Sequence, residues 1–143
     1  MFIGEYSHTI DEKGRLAVPS KMRRQLGGGA VVTRGIDACL WVFSKIEWQA
    51  LAEKLAKLPI TDANSRAFSR LMLAGAVEVE FDSQGRILLP SYLRSYASLA
   101  KNATIAGLFN RLEIWDTSSW EKYKEKTEQE TDKITQNLSD LGV

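Results

Sequence analysis

The strongest constraint on the fold is that the chain writes one stretch twice. Asp11-Glu12-Lys13-Gly14-Arg15-Leu16-Ala17-Val18-Pro19-Ser20-Lys21-Met22-Arg23 returns as Asp82-Ser83-Gln84-Gly85-Arg86-Ile87-Leu88-Leu89-Pro90-Ser91-Tyr92-Leu93-Arg94. Aspartate, glycine, arginine, proline, serine and the closing arginine recur at a displacement of 71 residues. After a one-residue insertion the correspondence resumes at 72, where Leu40-Trp41-Val42-Phe43 aligns with Leu112-Glu113-Ile114-Trp115, and Trp48 with Trp120. A fixed internal period makes the chain two copies of one supersecondary unit. Halves of roughly seventy residues are small enough to need each other for a core.

Within each copy the motif has a backbone reading. Gly14 and Gly85 lie between a polar and an apolar, β-prone run, where a tight turn requires φ > 0. Pro19 and Pro90 follow short apolar runs and precede helix-compatible residues, as proline does at a helix start. The unit therefore reads strand, turn, strand, helix. Asp11 and Arg15, like Asp82 and Arg86, stand four apart across the turn, within reach of a carboxylate–guanidinium pair that would hold the planar fork in place. A solvated surface pair, contributing roughly 0–1 kcal/mol, is the plainer alternative.

Asp-x-x-Gly-Arg, the trailing proline and the basic residue four beyond it resemble the two half-domains of the MraZ family, relatives of the AbrB and SpoVT DNA-binding fold. Met1-Phe2-Ile3-Gly4-Glu5-Tyr6 and Leu112-Glu113-Ile114-Trp115-Asp116 are similar to that family too, and the resemblance runs from residue 1 to about 125. It implies a bacterial transcriptional regulator of the division and cell-wall gene cluster. Such a protein would assemble as a ring and turn Asp-x-x-x-Arg tips towards repeated elements in double-stranded DNA. The implied fold class is α+β, two AbrB/SpoVT-like, double-split β-α-β repeats joined by a helical connector. We divide it as 5–47 for the first repeat, 48–75 for the connector, 76–119 for the second repeat and 120–143 for a C-terminal helix and tail.

The remaining segments fill in this frame. Tyr6, His8 and Ile10 alternate with Ser7 and Thr9, which predicts a half-buried strand entering the first turn. Pro19 to Leu26 predicts a short helix closed by Gly27-Gly28-Gly29. Ala30 to Arg34 and Cys39 to Phe43 predict strands around an Ile36-Asp37 turn. Ser44 with Glu47 has capping-box spacing ahead of Trp48, Leu51, Leu55 and Leu58. Thr61 or Asp62 caps a second connector helix that Gly75 ends. The apolar stripes of these helices suit packing on the sheets or on another subunit. Val77, Val79 and Phe81 predict the strand that opens the second copy, and Thr104 to Leu108 with Leu112 to Trp115 its closing pair. Trp48 and Trp120 are expected to anchor their helices to the sheet. Beyond Trp120 the chain is polar, and the thin stripe Ile134, Leu138, Leu141 is expected to fray.

Composition excludes several functions. With 44% hydrophobic and 26% charged residues the chain is expected to be globular, and no stretch approaches the ~20 apolar residues of a membrane span. The opening residues lack a basic region followed by an apolar core, so a cytoplasmic, nucleoid-associated protein is expected. Cys39 lies in an apolar run and predicts strand packing rather than reactivity. His8 has no cluster of potential ligands in the sequence, so no metal or cofactor is expected. There is no nucleophile elbow and no phosphate-binding Gly-x-x-x-x-Gly-Lys, and an enzyme is not expected.

A net charge of +1 gives no argument for nucleic acid, but its distribution does. Residues 8–34 carry an excess of +4, residues 116–143 one of −3. Attraction to phosphate is the sequence-independent part of DNA binding, and an oligomer multiplies a modest patch. The first repeat is therefore expected to be the principal DNA face. Arg15 would reach bases or phosphates, Asp11 would orient it, and Lys13, Lys21, Arg23 or Arg24 would meet phosphates. Arg86 and Asp82 could contribute at the second turn, where Gln84 replaces Lys13; they and Arg94 could equally be structural. The competing reading is a non-catalytic oligomeric scaffold whose arginines bridge subunits.

Overall fold

The computed structural model describes residues 1–142. β-Prone runs and capped amphipathic stretches alternate in the order β1 (Phe2–Thr9), β2 (Arg15–Ala17), α1 (Ser20–Leu26), β3 (Ala30–Arg34), β4 (Leu40–Phe43), α2 (Lys45–Ala56) and α3 (Ala63–Ser69). A π-helical turn, Arg70–Ala74, prolongs α3. The second half gives β5 (Val77–Val79), β6 (Arg86–Leu88), α4 (Ser91–Tyr96), β7 (Asn102–Phe109), β8 (Leu112–Asp116), α5 (Thr117–Gln129) and α6 (Thr131–Leu138). Ser44, Asp62 and Asp116 cap α2, α3 and α5 by accepting the amides of Glu47, Ser65 and Ser119.

The strands form a six-stranded antiparallel sheet in the order β1-β7-β8-β4-β3-β5 and a separate ribbon of β2 and β6. The repeats exchange strands. β1, from the first copy, pairs along its whole length with β7 of the second, and β5, from the second, pairs with β3 of the first. The hairpin that opens each copy is thus reduced to its turn, with a single Ile10–Leu16 bridge in the first. A pseudo-twofold axis relates the halves. It runs through the Leu16–Ile87 pair of the ribbon and the Trp41–Glu113 pair of β4 and β8, residues that are each other's equivalents. The ladders refine the spacing: β3 maps onto β7 at 73 and β4 onto β8 at 72, because the second copy lengthens the link after its helix and shortens the hairpin that follows.

The molecule has three layers. One sheet face, with Val32, Leu40, Val42, Ile105, Leu112 and Ile114, packs on Leu16 and Ile87 of the ribbon and on Met22, Leu26, Leu93 and Ala97 of α1 and α4. The other face is covered by the long helices. Phe43 meets Trp48 of α2 with ring centroids 5.9 Å apart, and Trp115 meets Trp120 and Tyr123 of α5 at 5.3 and 5.0 Å. Thr33 donates to the Met72 carbonyl at 2.6 Å, tying the π-helical turn to β3.

Two expectations are corrected. The strand before the first turn is not half-buried: from Ile3 to Thr9 both faces of β1 are exposed. It is an edge strand that α5 touches through Glu5 without covering either face, so alternation there does not mark a core. The tail after Trp120 is not frayed but helical, through α5, α6 and a short 3₁₀ turn. Glu5 of β1 holds α5 down, accepting from Trp120 Nε1 at 3.2 Å and Lys124 Nζ at 2.8 Å.

Candidate nucleic-acid interface

The ribbon brings the two motifs together. In the first turn, Asp11 Oδ1 accepts the backbone amides of Lys13 and Arg15 at 3.0 and 2.9 Å, and Oδ2 accepts Arg15 Nε at 2.6 Å. The second turn repeats this atom for atom: Asp82 Oδ1 takes Gln84 and Arg86 amides, both at 2.9 Å, and Oδ2 takes Arg86 Nε at 2.8 Å. Gly14 and Gly85 adopt the left-handed φ values of 85° and 73° that such a tight turn demands. Each aspartate thus binds its arginine through Nε, which leaves the terminal guanidinium nitrogens outside that bond and fixes the side chain in advance of any ligand. These hydrogen bonds, led by the arginine's backbone amide, hold both carboxyls below the ordinary aspartate range.

The tips touch each other. Val18 donates its amide to the Gly85 carbonyl and Leu89 donates to that of Gly14, at 3.0 and 2.9 Å. Arg86 Nη1 also lies 3.6 Å from Asp11 Oδ2, so Arg86 is shared between two carboxylates while Arg15 has one. Since Arg15 pairs with Leu88 and Ala17 with Arg86, these four residues alternate away from buried Leu16 and Ile87 and form the ribbon's outer face. A two-stranded ribbon of this kind fits the major groove, and an arginine fork is the commonest reader of guanine there. The face lies opposite the layer of long helices, free of them.

Lys13, Lys21 and Arg24 are exposed and, among the described residues, have no acidic partner within salt-bridge distance. Arg23 and Arg94 are placed differently. Arg23 Nη1 donates to the Val18 carbonyl at 2.5 Å and Arg94 Nε to that of Leu89 at 3.0 Å. Each guanidinium also lies against the other repeat's turn: a Cβ on Gly85 would fall 2.5 Å from Arg23 Cζ, and one on Gly14 2.8 Å from Arg94 Cζ. The two arginines that close the motif therefore brace the tips crosswise. Sequence reasoning did not single out Leu88, which is 56% exposed on the outer face; its even spacing from Arg86 is the signal that could have found it.

On the opposite face of the sheet, Glu113 accepts Trp41 Nε1, Trp115 Nε1 and the Arg111 guanidinium at 2.8, 3.0 and 3.1 Å. Burial, aided by the charges of Glu113 and Asp37, pushes the Cys39 thiol up to about 12, so the residue packs rather than reacts. Among the described residues no three His, Cys, Asp or Glu side chains gather as a metal cage, and no helix is long and apolar enough to cross a membrane.

Comparison with known proteins agrees with this duplication. A family profile described as "MraZ protein, putative antitoxin-like" matches the chain twice, over residues 1–71 and 72–141. The chain is 49% identical over 143 residues to "Transcriptional regulator MraZ" of Pediococcus pentosaceus, covering the whole of both chains. Proteins of that name from Ligilactobacillus salivarius, at 49%, and Halothermothrix orenii, at 48%, match over the same full length.

Proposed function

The chain belongs to the MraZ family, and on that premise we propose that it is a sequence-specific DNA-binding transcriptional regulator, a cytoplasmic and nucleoid-associated repressor of its own division and cell-wall gene cluster. It acts as a ring-like homo-oligomer on repeated DNA elements. The observation that carries this reading is the pair of aspartate-held arginines, Arg15 and Arg86, side by side on one exposed ribbon face. Arg15 reads bases, Asp11 and Asp82 orient the forks, and Lys13, Lys21 and Arg24 meet phosphates. Arg23 steadies the second tip and lends its remaining donors to the same backbone. Residues 5–47 and 76–119 are the DNA-facing repeats, 48–75 the connector and 120–143 the C-terminal helix and tail.

Self-association has its own support. Edge strand β1 presents unpaired backbone on one side, and at its end exposed Met1 and Ile3 lie beside exposed Leu108 and Phe109 of β7. An edge with an apolar end is suited to another copy of the chain.

The test is a salt titration of binding to the duplex upstream of the protein's own gene against a scrambled duplex, recording the mass of the complex. Arg15→Ala is expected to lose about 1–3 kcal/mol of preference for the native duplex, with oligomer mass unchanged. Wild-type binding by that variant at every salt concentration overturns the assignment of Arg15. A fall in mass instead makes it a subunit bridge, as a scaffold requires.

A further inference from the structure

The crosswise bracing of the tips places the first repeat's helix beside the second repeat's turn. Ser20, Arg23 and Arg24 of α1 face Asp82, Ser83 and Gly85 across an open groove. Arg23 is fixed there by the Val18 carbonyl and by contact with Gly85. Arg24 is exposed and, among the described residues, free of any acid. The carboxylate of Asp82 is already engaged by two amides and by Arg86 Nε, so its charge is largely answered. The equivalent groove at the first turn is chemically different. There α4 offers Tyr92 and Ser95 where α1 has Lys21 and Arg24, and Glu12 stands where the second turn has Ser83.

We propose that the groove between α1 and the second turn is a seat for a backbone phosphate of the bound DNA, held by Arg24 with Arg23 and the hydroxyls of Ser20 and Ser83. It completes a second contact, beside Arg86, which enters the same groove of the duplex as Arg15. The seat rests on the DNA-binding reading above and extends it. Each tip then has one flexible cation besides its arginine: Lys13 from the turn itself at the first, Arg24 from the other repeat's helix at the second. The loss of Lys13's counterpart to Gln84 is offset by the strand exchange, which delivers the basic helix to that place. The first turn lacks such a seat because Glu12 would repel the anion. The two halves therefore contact DNA unequally but together, and Arg24 belongs functionally with Arg86 although it lies in the repeat of Arg15.

That pairing is what an experiment reads. In the full-length protein, Arg24→Gln is expected to weaken native and scrambled duplex alike, by about eight-fold at about 0.1 M salt, and to flatten the salt dependence by about one unit of slope per protomer bound. Combined with Arg86→Ala, the two losses should overlap, whereas with Arg15→Ala they should multiply. Ser83→Glu, which copies the first turn's acid, should reproduce the Arg24→Gln defect with oligomer mass and melting unchanged. The seat is overturned if Arg24→Gln keeps wild-type affinity and salt slope, or if its loss overlaps with that of Arg15 rather than Arg86. The scrambled duplex separates the two readings: loss of salt slope there without any preference for the native duplex sustains the seat and overturns the sequence-specific regulator. Absence of binding to either duplex overturns both.

Discussion

Asp11 and Asp82 each divide their carboxylate between the backbone of the turn and an arginine side chain, so one residue both folds the tip and aims its fork. Hydrogen bonds from the backbone amides of Arg15 and Arg86, then from their side chains, hold both carboxyls below the ordinary value of 3.8. With folded values depressed, the unfolded chain binds more protons as pH falls past that ordinary value. The stabilisation they give is complete above it and is lost as pH descends through the folded values. Asp11→Asn and Asp82→Asn should therefore lower Tm at neutral pH and make the acid-side fall of Tm shallower than in the wild type. Wild-type and variant Tm curves that stay parallel down to the acid limb would detach these carboxylates from folding. The aspartate–arginine pairs were legible in the sequence because the same spacing of four across a glycine turn is written twice, where one copy alone would read equally well as a solvated surface pair. Leu88 was not, since Ile87-Leu88-Leu89 reads as one apolar run and its place two residues beyond Arg86 tells only once the segment is known to be a strand. Nor was the inward turn of Arg23, which depends on a glycine in the other repeat.

Elements that the chain specifies locally were legible nearly to the residue. Ala30 to Arg34 is a strand with the predicted bounds, and Ser44 caps its helix as the capping-box spacing implies. Elements whose environment is supplied by the other repeat were not. The alternation in β1 suggested a buried face, but its one neighbour in the sheet is β7, and the layers on either side leave Ile3 to Thr9 exposed. The same limit hid the role of β8. In the sequence Glu113 is merely the acidic member of an apolar strand; in the structure it lies on the pseudo-dyad opposite its own equivalent, Trp41, and is only 7% exposed. Its carboxylate is the common acceptor for two indoles and a guanidinium, and it joins the inner hairpins of the two repeats. Arg111 is 29% exposed and can turn to water, but the Trp115 indole cannot, so Glu113→Ala should cost about 1–3 kcal/mol in denaturant unfolding. Ile46→Ala, at a site 83% exposed, should stay within about 0.5 kcal/mol. A Glu113→Ala loss no larger than that of Ile46→Ala would mean that water replaces the carboxylate without penalty.

At the scale of the whole molecule, duplication makes one folding unit out of two repeats. Four ladders join the halves: β1 with β7, β2 with β6, β4 with β8 and β3 with β5. Within a half only the β3–β4 or the β7–β8 hairpin remains, and an isolated two-stranded hairpin is at best marginally stable. The core divides in the same way, because Leu16 packs with Ile87, and the sheet face beneath them draws on both copies. The exchange also ties function to folding, since each tip is braced by the other repeat's arginine. A cut after Thr61, in the exposed link between α2 and α3, severs the chain without breaking any ladder. Fragments 1–61 and 62–143 are therefore each expected to lack a cooperative thermal transition at low concentration and to regain one when mixed in equal amounts, recovering DNA binding with it. Circular dichroism melts of each fragment and of the mixture read this directly. A cooperative, concentration-independent melt of fragment 1–61 alone would show that one copy carries its own core, and the strand exchange would then be an embellishment of the fold rather than its basis.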